Sequence, residues 1–128
     1  MIYIDTSAVL KLVHPEAESR ALRSWLAHHS GDLVSSALVR TEARRALLRN
    51  DPEALPRLPA ILSVIAQIPV SETVLDSAAM FPDPLLRSLD AVHLASAQSI
   101  AAVTALLAYD KHLIEAARNA GLAIASPA

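Results

Sequence analysis

Hydrophobic residues along this chain occur in short runs whose spacing alternates between that of strands and that of helices. Residues 2–4 are a β-favouring run that ends on Asp5, and the apolar residues 8–13 predict a helix directly after it. Residues 33–34 predict a second strand, and residues 103–109 predict a central strand. This alternation indicates a parallel sheet covered by helices on both faces.

Helix signals fill the segments between these strands. Helices are predicted from Pro15 to residue 27, from a cap at Ser35 or Ser36 to Asn50, over a turn or two within 60–67, and over 71–80, 88–102 and 111–120. On the helix that ends at Asn50, the predicted core-facing stripe comprises Val39, Ala43, Ala46, Leu47 and Asn50. Residues 68–70 predict a short edge strand, where proline is tolerated, and residues 122–124 predict a last strand.

Length and composition narrow the class of protein. A chain of 128 residues predicts one domain, residues 1–128, without a linker or internal repeat. Hydrophobic residues make up 53% of it, yet no run reaches the roughly 18 to 20 apolar residues that span a bilayer, and its first residues already read as a strand. We therefore expect a cytoplasmic protein without a membrane segment. The absence of cysteine excludes thiolate nucleophiles, disulfides and cysteine zinc sites.

Three acidic residues occupy positions where a ligand site is expected. Ligands of open parallel sheets bind outside the carboxyl ends of the strands, where the strand order reverses, and Asp5 and Asp110 each follow a predicted strand. Asp90 lies in the first turn of an almost wholly apolar helix, where an ionised carboxylate is costly without a partner. A divalent cation satisfies that need better than the helix N-terminus, whose interaction is worth at most about 2 kcal/mol.

Glu42 completes the set of candidate acids. Its helix carries Arg45 and Arg49 three and seven residues later, which places cations at the rim of the predicted site. Oxygen ligands without cysteine favour Mg²⁺ or Mn²⁺ over zinc, and metal-activated hydrolysis of a phosphodiester is the chemistry that follows. A net charge of −2 and an aromatic content of 3% leave substrate recognition to local phosphate contacts. The candidate phosphate-binding cations are Arg45, Arg87 and Lys111.

Four segments of the chain resemble the PIN-domain family, and in particular the VapC-type toxins of bacterial toxin–antitoxin pairs. Residues 3–8 (YIDTSA) are similar to the family's opening strand and first acid, and residues 35–47, from SSAL to TEARRAL, are similar to its second block. LDAVHLA at residues 89–95 is the most specific stretch, and YDKHL at residues 109–113 is similar to the last block. The order and spacing of the segments agree with the family over nearly the whole chain.

The resemblance implies a fold, an activity and a set of partners. The implied fold is a three-layer α/β/α arrangement with a short central parallel sheet of four to five strands. The implied activity is that of an endoribonuclease dependent on Mg²⁺ or Mn²⁺, with metal ligands at Asp5 and Asp90 and with Glu42 and Asp110 completing the acidic cluster. The implied partners are an RNA substrate, a cognate antitoxin protein that inhibits the enzyme, and a second copy in a homodimer.

Three smaller features follow from the same resemblance. Thr6 and Ser7 are expected to be auxiliary polar groups near the metal. Two residues before the last acid, where the family often has threonine, this chain has Ala108. We expect that departure to tune the Asp110 position without loss of activity.

Each candidate also has a purely structural interpretation. Asp5 and Asp110 can serve as helix N-caps, and Asp90 can be an ordinary acid in the first turn of a helix. Glu42 can pair with the arginines that follow it. His93 can orient the acid one turn before it, but a packed or hydrogen-bonded core histidine is the favoured interpretation. Two alternatives from other classes are a receiver-like signalling module and a catalytically silent α/β domain with an acidic metal or phosphate pocket. The signalling module is disfavoured because Thr6, rather than a second acid, follows Asp5.

Overall fold

A five-stranded, fully parallel sheet lies at the centre of the molecule. The structure, a computed structural model, describes residues 1–128. The strands lie in the order β3-β2-β1-β4-β5 and are β1 (Ile2–Ile4), β2 (Leu33–Ser36), β3 (Ile65–Ile68), β4 (Ala105–Leu107) and β5 (Ile124–Ala125). The helices are α1 (Thr6–Val13), α2 (Ser19–His28), α3 (Val39–Asn50), a 3₁₀ helix (Pro52–Arg57), α4 (Leu58–Ser63), α5 (Glu72–Ala79), α6 (Ser88–Gln98) and α7 (Lys111–Asn119).

Alternate side chains of the strands pack against helices on the two faces of the sheet. Ile2 and Ile4 point to one face and Tyr3 points to the other, as the two-residue period of a strand requires. The first face packs against α1 to α4, and the second packs against α6 and α7. α5 lies against α6 through Val74 and Val92. The predicted three-layer α/β/α fold is thereby confirmed. None of the helices is long and apolar enough to cross a membrane.

The strand order reverses between β1 and β4. β2 and β3 lie on one side of β1, whereas β4 and β5 lie on the other, with Ile4 opposite Leu107. Asp5 follows β1 directly, and Asp110 follows β4 by three residues. The carboxyl ends of two adjacent strands at such a reversal form the crevice in which ligands of open α/β sheets bind.

The prediction of an edge strand at 68–70, after helical turns within 60–67, is wrong. The proline-rich segment forms the 3₁₀ helix and then α4, which ends at Ser63, and the edge strand β3 follows almost at once. β3 pairs with β2 along its whole length. Pro69 has no N–H to extend the ladder, so the strand ends before it.

The prediction that Ser35 or Ser36 caps α3 is also wrong. Ser35 and Ser36 belong to β2, and α3 begins at Val39. The Ser36 hydroxyl accepts a hydrogen bond from the Leu38 N–H at 3.1 Å, so this side chain closes the turn between strand and helix. At the other end of α3, Asn50 is exposed and does not belong to the buried stripe.

α2 begins at Ser19 rather than at Pro15 as predicted. The Ser19 hydroxyl accepts from the Glu16 N–H at 2.9 Å and donates to the Lys11 carbonyl at 2.6 Å. These two bonds hold residues 15–18 in a turn between α1 and α2. A helix cannot begin earlier without breaking them.

Candidate active site

Four carboxylates converge at the carboxyl end of the central strands. Asp5 and Asp110 are the N-caps of α1 and α7, while Glu42 and Asp90 lie in the first turns of α3 and α6. The N-termini of four helices thus carry the acids, and the partial positive charge at each N-terminus favours an anion there. The charges of Asp5 and Asp110 both act on Asp90, and those of Asp5, Glu42 and Asp90 act on His93, so the four sequence-predicted acids form one electrostatic cluster.

Asp5 is almost wholly buried and is held by its neighbours in the chain. Its Oδ2 accepts hydrogen bonds from the backbone N–H of Ser7 at 3.2 Å and from the Ser7 hydroxyl at 2.7 Å. Ser7 Oγ in turn accepts from the Tyr109 N–H at 3.1 Å, which ties α1 to the end of β4. Asp5 Oδ1 lies 3.6 Å from His93 Nε2, beyond hydrogen-bond distance. Capping therefore uses one carboxylate oxygen and leaves the other for a ligand.

Four polar side chains form a hydrogen-bonded series that we term the buried polar chain: Tyr3, His93, Glu42 and Thr6. The Tyr3 hydroxyl lies 2.7 Å from His93 Nδ1, and His93 Nε2 lies 2.6 Å from Glu42 Oε1. Thr6 Oγ1 donates to the same Glu42 oxygen at 2.7 Å. The chain links β1, α6, α3 and α1, and its tyrosine and histidine are fully buried. It fixes Glu42 from two directions.

Glu42 does not pair with the arginines of its own helix, since neither Arg45 nor Arg49 forms an ion pair. Burial favours a raised pKa for the Glu42 carboxyl, but the hydrogen bond and charge of His93 outweigh burial and hold that pKa below its usual range. Burial likewise opposes the imidazolium, yet the Glu42 hydrogen bond and the surrounding acids raise the pKa of His93. The charge on Glu42 is therefore compensated within the protein.

Asp90 and Asp110, which we term the acidic pair, share a single cation. Arg87 Nε lies 3.5 Å from Asp90 Oδ2, and Arg87 Nη2 lies 3.5 Å from Asp110 Oδ2. Both distances exceed those of ordinary N–H···O hydrogen bonds, and the Arg87 side chain is 76% exposed, so water screens these contacts. Asp110 Oδ1 meanwhile caps α7 by accepting from the Leu113 N–H at 3.0 Å. The acidic pair is only weakly neutralised.

Asp90 is the least compensated carboxylate of the site. Its Oδ2 is buried and has no hydrogen-bond partner. Burial and the charges of Asp5 and Asp110 raise the pKa of Asp90 to about 6, although Arg87 and His93 oppose the shift. A further positive charge at this point would satisfy the free oxygen and favour the ionised carboxylate.

The donor set fits a hard divalent cation. Asp5 Oδ1 and Asp90 Oδ2, neither of which has a hydrogen bond, are carboxylate oxygens, and no cysteine is available to favour a soft metal. No three histidine, aspartate or glutamate side chains are arranged as a complete ligand set. Mg²⁺-like ions do not require one, because they bind through one or two carboxylates and fill the other positions with water and substrate phosphate.

The three predicted phosphate-binding cations have different settings. Arg87 bridges the acidic pair, whereas Arg45 and Lys111 are exposed and form no ion pair. Arg45 lies one turn after Glu42 on α3, and Lys111 is the first residue of α7, next to Asp110. Each of the three therefore lies close along the chain to a carboxylate of the site.

The sequence interpretation missed Tyr3 altogether. Its hydroxyl is a polar group in an otherwise apolar buried strand, and a buried tyrosine usually has a hydrogen-bond partner, which is the signal that points to it. For His93, the favoured interpretation as a hydrogen-bonded core residue is confirmed, but its short contacts are with Tyr3 and Glu42 and not with the acid one turn before it.

The sequence is similar to known ribonucleases along its whole length. The PIN domain family model matches residues 2–119. Ribonuclease VapC35 of Mycobacterium tuberculosis is 43% identical over 131 residues, which cover 99% of this chain and 97% of that protein. Ribonuclease VapC47 of the same species is 39% identical over 132 residues, with 99% and 97% covered.

Solved structures with the same fold include a bacterial toxin and a toxin–antitoxin complex. The crystal structure of Mycobacterium tuberculosis VapC20, a sarcin–ricin loop cleaving toxin, superposes with a TM-score of 0.77 at 19% identity over 95% of this chain and 96% of that one. A toxin–antitoxin complex from Klebsiella pneumoniae gives a TM-score of 0.75 at 19% identity, with 100% and 98% covered. These likenesses establish the fold, and the family match together with the identity to VapC35 and VapC47 shows that this chain belongs to the PIN-domain family and is of the VapC type.

Proposed function

We propose that this protein is a metal-dependent endoribonuclease and the toxin of a type II toxin–antitoxin pair. The observation that carries the proposal is the buried Asp90 oxygen without a partner, beside Asp5 and Asp110, where the strand order reverses. Such a site favours a cation and, through it, a phosphate. The relatives that are 43% and 39% identical over nearly the whole chain are ribonucleases by name, which supports the same activity here.

Asp5 and Asp90 would hold the cation, for which we propose Mg²⁺ or Mn²⁺. PIN-domain ribonucleases are in general dependent on a divalent metal. When bound, such an ion activates water and neutralises the charge that develops on the phosphoryl group. The residues of the chain keep one oxygen free on each of the two aspartates and hold Glu42 ionised at the same end of the sheet. Ser7 and Thr6 act as auxiliary groups that orient Asp5 and Glu42 through their hydroxyls.

We assign phosphate binding to Arg87, Arg45 and Lys111. Arg87 contacts the acidic pair only at 3.5 Å and is largely exposed, so its guanidinium is free to turn to a substrate phosphate once a metal ion neutralises the carboxylates. Arg45 and Lys111 are exposed and unpaired, as residues that position a phosphate backbone must be. With only 3% aromatic residues, RNA phosphates rather than stacked bases supply most of the binding energy.

The proposed protein partners are an antitoxin and a second copy of this chain. A toxin–antitoxin complex among the similar solved structures supports the first. Large apolar side chains stay exposed on α5, in the segment between α5 and α6 and in the first turn of α6. Met80 is 80% exposed, and Leu75, Leu85 and Leu89 are each about half exposed or more. Exposed apolar patches mark protein contacts, and we assign this one to the homodimer. An RNA substrate implies action in the cytoplasm.

The direct test is cleavage of an end-labelled RNA by the purified protein in Mg²⁺ and in EDTA. We expect cleavage only with the metal. Asp5→Asn should lower the rate by more than the roughly 10- to 100-fold that loss of an outer-shell partner costs, with an unchanged circular dichroism spectrum. Asp76→Asn, an exposed acid on α5, is the matched control and should cleave at the wild-type rate.

Two results would contradict the proposal: cleavage that persists in EDTA, or full cleavage by Asp5→Asn. A protein that folds but never cleaves RNA would favour the catalytically silent alternative. Sequencing the 5′ ends of RNA cut during controlled expression then identifies the target RNA.

A further inference from the structure

We propose that His93 is a positioning residue, held in place by Tyr3, that directs the Glu42 carboxylate into the active site. This role rests on the proposed ribonuclease function, since Glu42 is one of its four acids. His93 lies in the middle of α6 and is fully buried. Both ring nitrogens have short contacts, with Nδ1 at 2.7 Å from the Tyr3 hydroxyl and Nε2 at 2.6 Å from Glu42 Oε1. The ring therefore joins the centre of the sheet to an acid of the site.

The direction of the hydrogen bonds follows from what each group can donate. An ionised carboxylate only accepts, so the proton between His93 and Glu42 is carried by Nε2. The Tyr3 oxygen accepts from the Ser36 N–H at 3.0 Å and has a second lone pair. When the ring is neutral with its proton on Nε2, the Tyr3 O–H donates to Nδ1, and when the ring is an imidazolium, Nδ1–H donates to the Tyr3 oxygen. In both the neutral Nε2–H tautomer and the imidazolium, Nε2 donates to Glu42. The contact thus persists whichever form the ring takes.

These hydrogen bonds give the two carboxylate oxygens of Glu42 different roles. Oε1 accepts from His93 Nε2 and from Thr6 Oγ1, which belong to different helices. Oε2 makes no hydrogen bond within the protein and is the oxygen left for the site. Two donors on one oxygen restrict the rotation of a flexible side chain, and hydrogen-bonded outer partners are the usual means of orienting carboxylates at metal sites.

Packing alone does not account for this arrangement. An apolar residue would fill the space of a fully buried imidazole without the desolvation penalty of a polar ring. The penalty is met here by two hydrogen bonds, one of which leads to an acid of the site. The test must therefore separate the Nε2 contact with Glu42 from the presence of the ring.

Two substitutions of His93 make that separation. The amide nitrogen of glutamine occupies about the place of histidine Nε2 and can still reach Glu42, whereas the asparagine amide occupies about the place of Nδ1 and reaches only Tyr3. We expect His93→Asn to lower kcat for Mg²⁺-dependent RNA cleavage by about 10- to 100-fold, with KM changed less than about threefold, and His93→Gln to retain most of kcat. His28→Asn, an exposed histidine on α2, is the control and should behave as wild type. Equal losses in the glutamine and asparagine variants would overturn the proposal.

A double-mutant cycle with Glu42→Gln tests whether His93 acts through Glu42. We expect His93→Asn to change kcat by less than about twofold in the Glu42→Gln background, because the group that it positions is already altered. Multiplicative losses would instead indicate a general structural role and would overturn the proposal. If His93→Asn does not fold, Tyr3→Phe replaces it in the cycle, because it removes the hydroxyl that anchors the ring, although it also removes the hydrogen bond that this hydroxyl accepts from the Ser36 N–H.

A measurement without metal or substrate separates this role from the proposed function. In ¹⁵N-labelled, metal-free protein, we expect a His93 Nε2–H signal that is protected from solvent exchange and that shifts in Glu42→Gln but not in Asp76→Asn. An unprotected signal, or one insensitive to Glu42, would overturn the assignment. If wild-type protein shows the expected signal but does not cleave RNA, the proposed ribonuclease function is refuted while the His93–Glu42 contact still stands.

Discussion

Glu42 and Asp90 lie at the same end of the sheet, each in the first turn of a helix, but their carboxylates have opposite surroundings. Glu42 belongs to the buried polar chain and receives two short hydrogen bonds on one oxygen, from His93 and from Thr6. Asp90 has a buried oxygen with no hydrogen bond and only a distant, exposed arginine nearby. The pKa of Glu42 is accordingly held low, whereas that of Asp90 is raised to about 6.

The difference indicates two tasks within one acidic site. A carboxylate whose charge is compensated by fixed donors is already oriented before any ligand binds. A carboxylate that lacks compensation gains stability only when a cation arrives. The side of the site that contains the buried polar chain is therefore preorganised. The side that contains the acidic pair carries the uncompensated negative charge that favours binding of a metal ion.

Neutralising each of the two acids and measuring stability in EDTA tests whether their surroundings differ in this way. Asp90→Asn should raise the free energy of unfolding at pH 7.5 by up to about 3 kcal/mol, because it removes a charge whose pKa in the folded state is about 2 units above the unfolded value. The native state holds an extra proton there between about pH 4 and 6, so wild-type stability falls as pH rises through that window. The gain in Asp90→Asn should grow across it and vanish near pH 4. Urea unfolding at several pH values checks this.

Glu42→Gln should change the free energy of unfolding in the direction opposite to Asp90→Asn. The variant loses a charge-assisted hydrogen bond to His93, so we expect the free energy of unfolding at pH 7 to fall by about 1.5 to 3 kcal/mol. Because the folded state lowers the pKa of Glu42, its contribution is present above the unfolded value and lost as pH falls, and the difference from wild type should shrink in acid. A free energy of unfolding that is higher in Glu42→Gln than in wild type would contradict the proposed difference between Glu42 and Asp90. Glu53→Gln, an exposed acid in the 3₁₀ helix, is the control for both variants.

Metal binding should act through Asp5 and Asp90, the proposed metal ligands. At a Mg²⁺ or Mn²⁺ concentration tenfold above its Kd, mass action stabilises the native state by about 1.4 kcal/mol, which thermal unfolding detects as a higher Tm. The rise should be lost in Asp90→Asn and kept in Asp76→Asn. A wild-type Tm that does not move at millimolar metal would contradict the proposed cation site.

The smallest expected effect concerns the exposed cations. Arg45→Gln should weaken RNA binding uniformly across sequences and reduce the slope of log K against log salt by about 0.7, the value for one phosphate contact on a single strand. Arg20→Gln, an exposed arginine on α2, is the control and should leave the slope unchanged. Equal slopes for both variants would remove Arg45 from the proposed phosphate contacts.

Strong local signals explain why much of the fold was predictable. The run of residues 2–4, the apolar helix from Ser88 and the Asp110 cap are specified by neighbouring residues, and all three elements are confirmed. The third strand begins three residues before its predicted start, because three prolines between residues 51 and 60 obscure where the helical segments end. Ser36 resembles a helix cap in the sequence, but its hydroxyl accepts from the N–H two residues ahead and closes a turn.

Local sequence places Asp5, Asp90 and Asp110 at helix N-termini next to the central strands, because helix starts and caps depend on neighbouring residues. Glu42 reaches the first turn of α3 only because that helix begins at Val39, later than the predicted cap at Ser35 or Ser36. How the charge of each acid is compensated depends instead on tertiary contacts. The partners of Glu42 lie 36 and 51 residues away along the chain, at Thr6 and His93, and Tyr3 lies 90 residues from His93. Hydrogen bonds and burial at such separations depend on the packing of whole helices against the sheet, and no local pattern encodes them.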